Sequence, residues 1–189
     1  MSLQDVDNLV PPHTGTQDIE SLIALDDDGL SRQPIFATSI GSGTNNNLFI
    51  AYVKDNKVKM RCSAGRGNNL TSEIDIMDVP GTVKLLKIGA KGDIAVVVAL
   101  EETGSGKLRV RGSTGTIVAT RDSNDDVISS FTYRACPEKE FHGRVSDILD
   151  LSIRINDDGT SDDYIFTKGE GGVNVAHLGH HIPAPSPPT

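Results

Sequence analysis

Leu48-Phe-Ile-Ala-Tyr-Val53, followed after a short polar break by Lys57-Val-Lys-Met-Arg-Cys-Ser-Ala-Gly65, decides the fold class because it recurs. A second copy reads Ile94-Ala-Val-Val-Val-Ala99 and Lys107-Leu-Arg-Val-Arg-Gly-Ser-Thr-Gly115. A fainter third reads Tyr164-Ile-Phe-Thr167 and Gly172-Val-Asn-Val-Ala-His-Leu-Gly179. Each copy is an apolar run, a polar turn, an alternating run and a glycine. Side chains two apart share one face of a strand, so this pattern specifies a β-hairpin. The chain is expected to be all-β, built of repeated antiparallel hairpins.

Working outward, further short strands are expected at 35–40, 73–79, 83–88, 116–120, 127–134 and 148–155. Between them stand turn formers: Asp55-Asn56, Ala90-Lys91-Gly92-Asp93, Gly104-Ser105-Gly106 and Asn156-Asp157-Asp158-Gly159. These residues tolerate positive φ or bond their own backbone. Ile94–Leu100 is apolar throughout, which predicts a central strand covered on both faces.

Composition agrees. The 189 residues are 37% apolar and 4% aromatic with no tryptophan, so the core must come from valine, isoleucine, leucine and alanine. That length suits one domain with terminal segments. The expected organisation is an N-terminal arm over 1–34, a β-rich domain over 35–179 and a proline-rich tail over 180–189. In the arm, Ile19, Leu22, Ile23 and Leu25 have helical spacing after Thr16, predicting one short helix. In the tail, the four prolines of Pro183–Thr189 remove backbone donors and favour an extended chain.

A net charge of −8, from 26 acidic and 18 basic residues, disfavours nucleic acid as a partner. Two strands nevertheless place three cations each on one face: Lys57, Lys59 and Arg61, then Lys107, Arg109 and Arg111. They form the candidate interaction surface, weighed against an ordinary solvated sheet face. No stretch reaches the roughly 20 apolar residues of a membrane helix. The acidic start Met1–Asp7 lacks the basic and hydrophobic regions of a signal peptide, so a soluble protein is expected. Cys62 and Cys136 are expected to stay reduced in an unexported protein, although pairing is left open.

Patterns for chemistry are missing. His177, His180 and His181 have metal-ligating side chains, but no cysteine or carboxylate lies in the same stretch to complete a ligand set, so no metal or cofactor is expected. The acidic turn Asn156–Asp163 fails the EF-hand pattern because Arg154 stands where its first carboxylate should be. Gly104-Ser-Gly-Lys107 lacks the upstream glycine and following hydroxyl of a phosphate loop, and no Gly-x-Ser-x-Gly occurs. The chain is expected not to be an enzyme.

The unit Leu48–Gly65, with its like at Ile94–Gly115, resembles the middle of a blade in sialidase-like β-propellers. Leu48 and Ile94 stand 46 residues apart, within the roughly 40–50 residue period of propeller blades. The resemblance implies architecture alone. The aspartate-box turn is missing at Ser63-Ala-Gly-Arg-Gly67 and at Ser113-Thr-Gly-Thr116, so no catalytic residue carries over. Three units do not close a ring of at least four blades. The strands are therefore expected to form either a β-sandwich or a propeller-like array completed by neighbouring subunits. The expected function is a structural or attachment protein acting by protein–protein assembly, as a homo-oligomer or part of a virion. Its role would be capsid decoration, a spike or a tail component. The alternative is a carbohydrate-binding, propeller-like module with a glycan partner.

Overall fold

The computed structural model describes residues 36–40, 47–64, 70–121, 127–169 and 171–181. All lie in one unit, Gln33–Thr189. The helix expected after Thr16, the N-terminal arm and most of the proline-rich tail lie outside the described residues.

The protein is all-β, with three antiparallel sheets. The first contains β1 (Phe36–Ile40), β2 (Leu48–Lys54), β3 (Lys57–Ser63) and β4 (Ile74–Asp78). The second contains β5 (Thr82–Lys91), β6 (Ile94–Glu102), β7 (Leu108–Arg121), β8 (Val127–Ala135) and β9 (Lys139–Phe141). The third contains β10 (Ile148–Ile155), β11 (Ser161–Gly169) and β12 (Gly172–His181). Within each sheet, strands neighbour one another in chain order. The one departure is β9, which pairs with Leu108–Val110 of β7 where β8 has not yet begun. The three sequence copies form β2–β3, β6–β7 and β11–β12, the second and third strands of their sheets.

Local chemistry explains the turns. Asp55 and Asn56 have φ of 54° and 57°, the left-handed pair that matches a two-residue hairpin loop to the twist of its strands. The sequence predicts a glycine stop near 112–115 and separate strands on either side. Instead β7 runs through Gly112 and Gly115 as one strand of 14 residues. The glycines there serve close packing. A Cβ on Gly115 would sit 2.4 Å from the Phe131 ring and 2.7 Å from the Thr132 carbonyl oxygen. One on Gly112 would sit 3.2 Å from Cys136 Cβ.

The sheets stack in a sandwich-like order with the second in the middle. Ala95, Val97 and Ala99 of β6 pack with Phe49, Val58, Met60 and Cys62 of the first sheet. The alternate residues Val96, Val98 and Leu100 pack with Leu151, Ile165 and Leu178 of the third. The strand expected to be covered on both faces is so covered, because side chains alternate along it. Polar links tie the layers together. Asn47 Nδ2 donates to Asp93 Oδ1 (2.7 Å), Ala64 N donates to Ser129 Oγ (2.9 Å), and Lys87 Nζ lies 2.8 Å from Asp150 Oδ1. The sheets approach most closely along their first strands, β5 lying against β1 on one side and β10 on the other, and β4 also meets β8, where the Tyr133 hydroxyl donates to the Asp75 carbonyl oxygen.

Candidate interaction surface

The six expected cations stand on two sheets, and carboxylates on neighbouring strands meet five of them. On the first sheet, register puts Lys59 opposite Asp75. Lys59 Nζ lies 3.0 Å from Glu73, 3.5 Å from Asp75 and 3.8 Å from Asp55, and Lys57 Nζ lies 2.7 Å from Asp75. Arg61 Nε donates to the Thr71 carbonyl oxygen at 2.9 Å. These strands alternate polar and apolar residues, so Val58, Met60 and Cys62 enter the core while the cations stay on the other face.

On the second sheet the pairing is denser. Arg109 stands opposite Glu101 on one side and Glu140 on the other. It bonds Glu140 and approaches Glu101 at 3.5 Å and Glu138 at 3.9 Å. Arg111 Nε donates to Glu101 Oε1 at 2.8 Å, and its Nη1 bonds Glu138. Lys107 reaches Glu140 at 3.8 Å. At the centre is Glu101, fully buried, whose Oε2 also accepts from the Gly81 backbone N–H at 2.9 Å. Gly81 must be glycine for that approach: a Cβ would lie 2.5 Å from the Glu102 carbonyl oxygen. The β9 strand, which supplies Glu140, has no clear signal in the sequence. Nor have the cross-strand pairs, because register is a property of the fold.

The ion pairs set the charge states. Hydrogen bonds from Lys59 to Glu73, from Lys57 to Asp75, from Arg109 to Glu140, from Lys87 to Asp150 and from Lys91 to Asp157 hold those carboxyls below the usual carboxylate range. The same bonds raise Lys57, Lys59 and Arg109. Burial, with the neighbouring Glu73 carboxylate, pushes the Tyr52 phenol up. A carboxyl whose folded pKa lies below its unfolded one stabilises the fold above the unfolded value, about 4, and loses that contribution as pH falls through the folded value. The five shifts share one sign. We expect melting temperature to hold from pH 7 to 5 and to fall steadily below about pH 4, as thermal melts followed by circular dichroism will check. These groups are largely exposed, so salt should shrink the effect.

Cys62 and Cys136 are both buried and not bonded to each other. Burial among apolar side chains pushes the Cys62 thiol up to about 11, leaving it a core residue rather than a nucleophile. No helix among the described residues is long and apolar enough to cross a membrane.

On the third sheet, the face turned away from the core carries large apolar side chains. Val173 and Val175 are more than half exposed (59% and 58%), and Leu149 of β10 is also exposed. Val175 stands opposite Phe166, and His177 stands opposite Tyr164, with ring centroids 5.3 Å apart. The first two sheets each have a fourth strand; β12 pairs with β11 alone among the described residues. No protein-family model, curated protein or solved structure matches this chain.

Proposed function

We propose that this protein is a non-enzymatic structural or attachment module that works by protein–protein assembly, forming a homo-oligomer through the third sheet. The observation that carries this reading is the edge of β12, which no strand among the described residues covers, beside exposed Val173 and Val175. An unpaired strand edge presents backbone donors and acceptors to another chain, and native proteins usually blunt such edges with charge, proline or cover. Here the edge strand exposes Val173 and Val175 beside the polar Asn174 and His177, with no charge or proline among these positions. Charge patterning supports the same reading, since carboxylates answer the cations of β3 and β7, leaving little basic field for a polyanion.

The convergence of β1, β5 and β10, the first strands of three successive meanders, favours a propeller-like array over a simple two-layer sandwich. In that arrangement each meander is one blade, and a further sheet would pack on the exposed face of the third. A virus particle, in a capsid-decoration, spike or tail-associated role, is the setting this suits by fold-level analogy.

Light scattering during size-exclusion chromatography tests the reading. The protein should run as a defined oligomer, and Val173→Lys with Val175→Lys should convert it to monomer without altering its far-ultraviolet circular dichroism. A parent protein that stays monomeric over the accessible concentration range, or an oligomer indifferent to both lysines, would overturn it. The second reading, a carbohydrate-binding module, draws on the exposed Tyr133 ring, stacked on Phe131 at 6.3 Å. Silence across a broad glycan array removes it.

A further inference from the structure

Arg109 and Arg111 of β7 are answered by carboxylates, whereas Arg134 of β8 is not. Among the described residues Arg134 makes no ion pair, and its Nε is buried without a hydrogen-bond partner. The register sets Thr114 of β7 directly opposite Arg134. Thr114 is 1% exposed, and its Oγ1 also lacks a partner. Directly opposed residues in an antiparallel pair share a face and have Cβ atoms about 5 Å apart. Neighbours on the ladder identify that face. Ile117 and Phe131 pair with each other and pack toward the first sheet, so Thr114 and Arg134, each three residues away, turn toward the third. Val110, on the same face of β7, packs with Leu151 and Ile165 of the third sheet. Thr116 and Thr132 make the next pair on this face and extend its row of hydroxyls.

We propose that Arg134 and Thr114 form a site for a small oxyanion of the phosphate or sulfate class, on the face of the second sheet turned toward the third. Burying a guanidinium nitrogen and a hydroxyl without partners is costly, and native proteins satisfy nearly all such groups. An oxyanion answers both. The guanidinium fork presents parallel N–H donors that match two of its oxygens, and the Thr114 hydroxyl donates to a third. Water would satisfy the hydroxyl but leave the charge of Arg134 unbalanced. Asp163, buried on the third sheet, has interactions of its own. Position and access both suit a bound ion. Ser113 Oγ donates to the Arg134 carbonyl oxygen at 3.2 Å, fixing β8 on β7, and the Arg134 side chain is only partly buried, so an ion can enter from solvent. This inference does not depend on the assembly reading.

Calorimetric titration of the whole chain with inorganic phosphate, and separately with sulfate, at constant ionic strength is the test. One ion per chain is expected. At 100 times the dissociation constant the bound ion should raise Tm by roughly 5–10 °C over chloride of equal ionic strength. Arg134→Met should abolish binding, and Arg134→Lys and Thr114→Val should each weaken it at least about tenfold. Arg144→Met, at an exposed cation, should leave it unchanged. Four results overturn the proposal: no saturable binding, chloride stabilising as much as phosphate, Arg134→Met binding as tightly as the parent, or Arg144→Met losing as much as Arg134→Met. Should Arg134→Met unfold the chain, the milder pair decides, and parental affinity in both Arg134→Lys and Thr114→Val would equally overturn it.

Discussion

Val97→Asp is expected to leave the protein unfolded at neutral pH. Val97 is fully buried at the centre of β6, packed against the first sheet, and Arg111, opposite Ala99 on the same face, is already held by Glu101 and Glu138. Keeping the new carboxyl neutral at pH 7 costs about 4 kcal/mol from the distance to its ordinary pKa. Burying the acid without a partner adds roughly 1–3 kcal/mol, and the lost valine burial about 1.5–3 more. Together these approach the whole stability of an ordinary domain, about 5–15 kcal/mol. With no tryptophan in the chain, far-ultraviolet circular dichroism is the readout, and loss of the strand signal is the expected result. A cooperative melt within a few degrees of the parent would show that β6 is not the covered central strand.

Glu101→Ala should have the next largest effect. Its carboxylate is buried and meets Arg111 Nε and the Gly81 N–H, with Arg109 close by. Truncation leaves a backbone donor and a guanidinium facing a void. Breaking a buried pair costs about 3–5 kcal/mol, and the lower end applies because Arg111 retains Glu138. For a chain of this size that is a fall in Tm of roughly 6–12 °C. Glu140→Ala removes a carboxylate from the same cluster at an exposed position, and should leave Tm nearly unchanged. Equal effects from the two substitutions would refute the distinction between buried anchor and surface pair.

Much of this was legible in the residues. The β-hairpins at Leu48–Ser63 and Ile94–Leu108 follow from alternation and turn chemistry, both local, and the two-sided burial of Val96 and Val97 follows from an uninterrupted apolar run. What stayed hidden depends on register. Gly112 and Gly115 look like strand stops until Phe131 and Cys136 are seen packed on them. The three residues of β9 are too few to carry a period, yet they bring Glu140 to Arg109. The cations of β3 and β7 resemble a basic surface until cross-strand partners are added. Asp162 and His177, 15 residues apart in sequence, meet only through the pairing of β11 with β12, which no local pattern announces.

Amide hydrogen exchange, followed by mass spectrometry on dilute and concentrated protein, bears most directly on whether the third sheet is the assembling surface. Peptides covering Gly172–His181 should exchange quickly when dilute and slow markedly when concentrated, while peptides from Ile94–Glu102 stay slow throughout. Exchange along Gly172–His181 that is the same at both concentrations would contradict assembly through that edge.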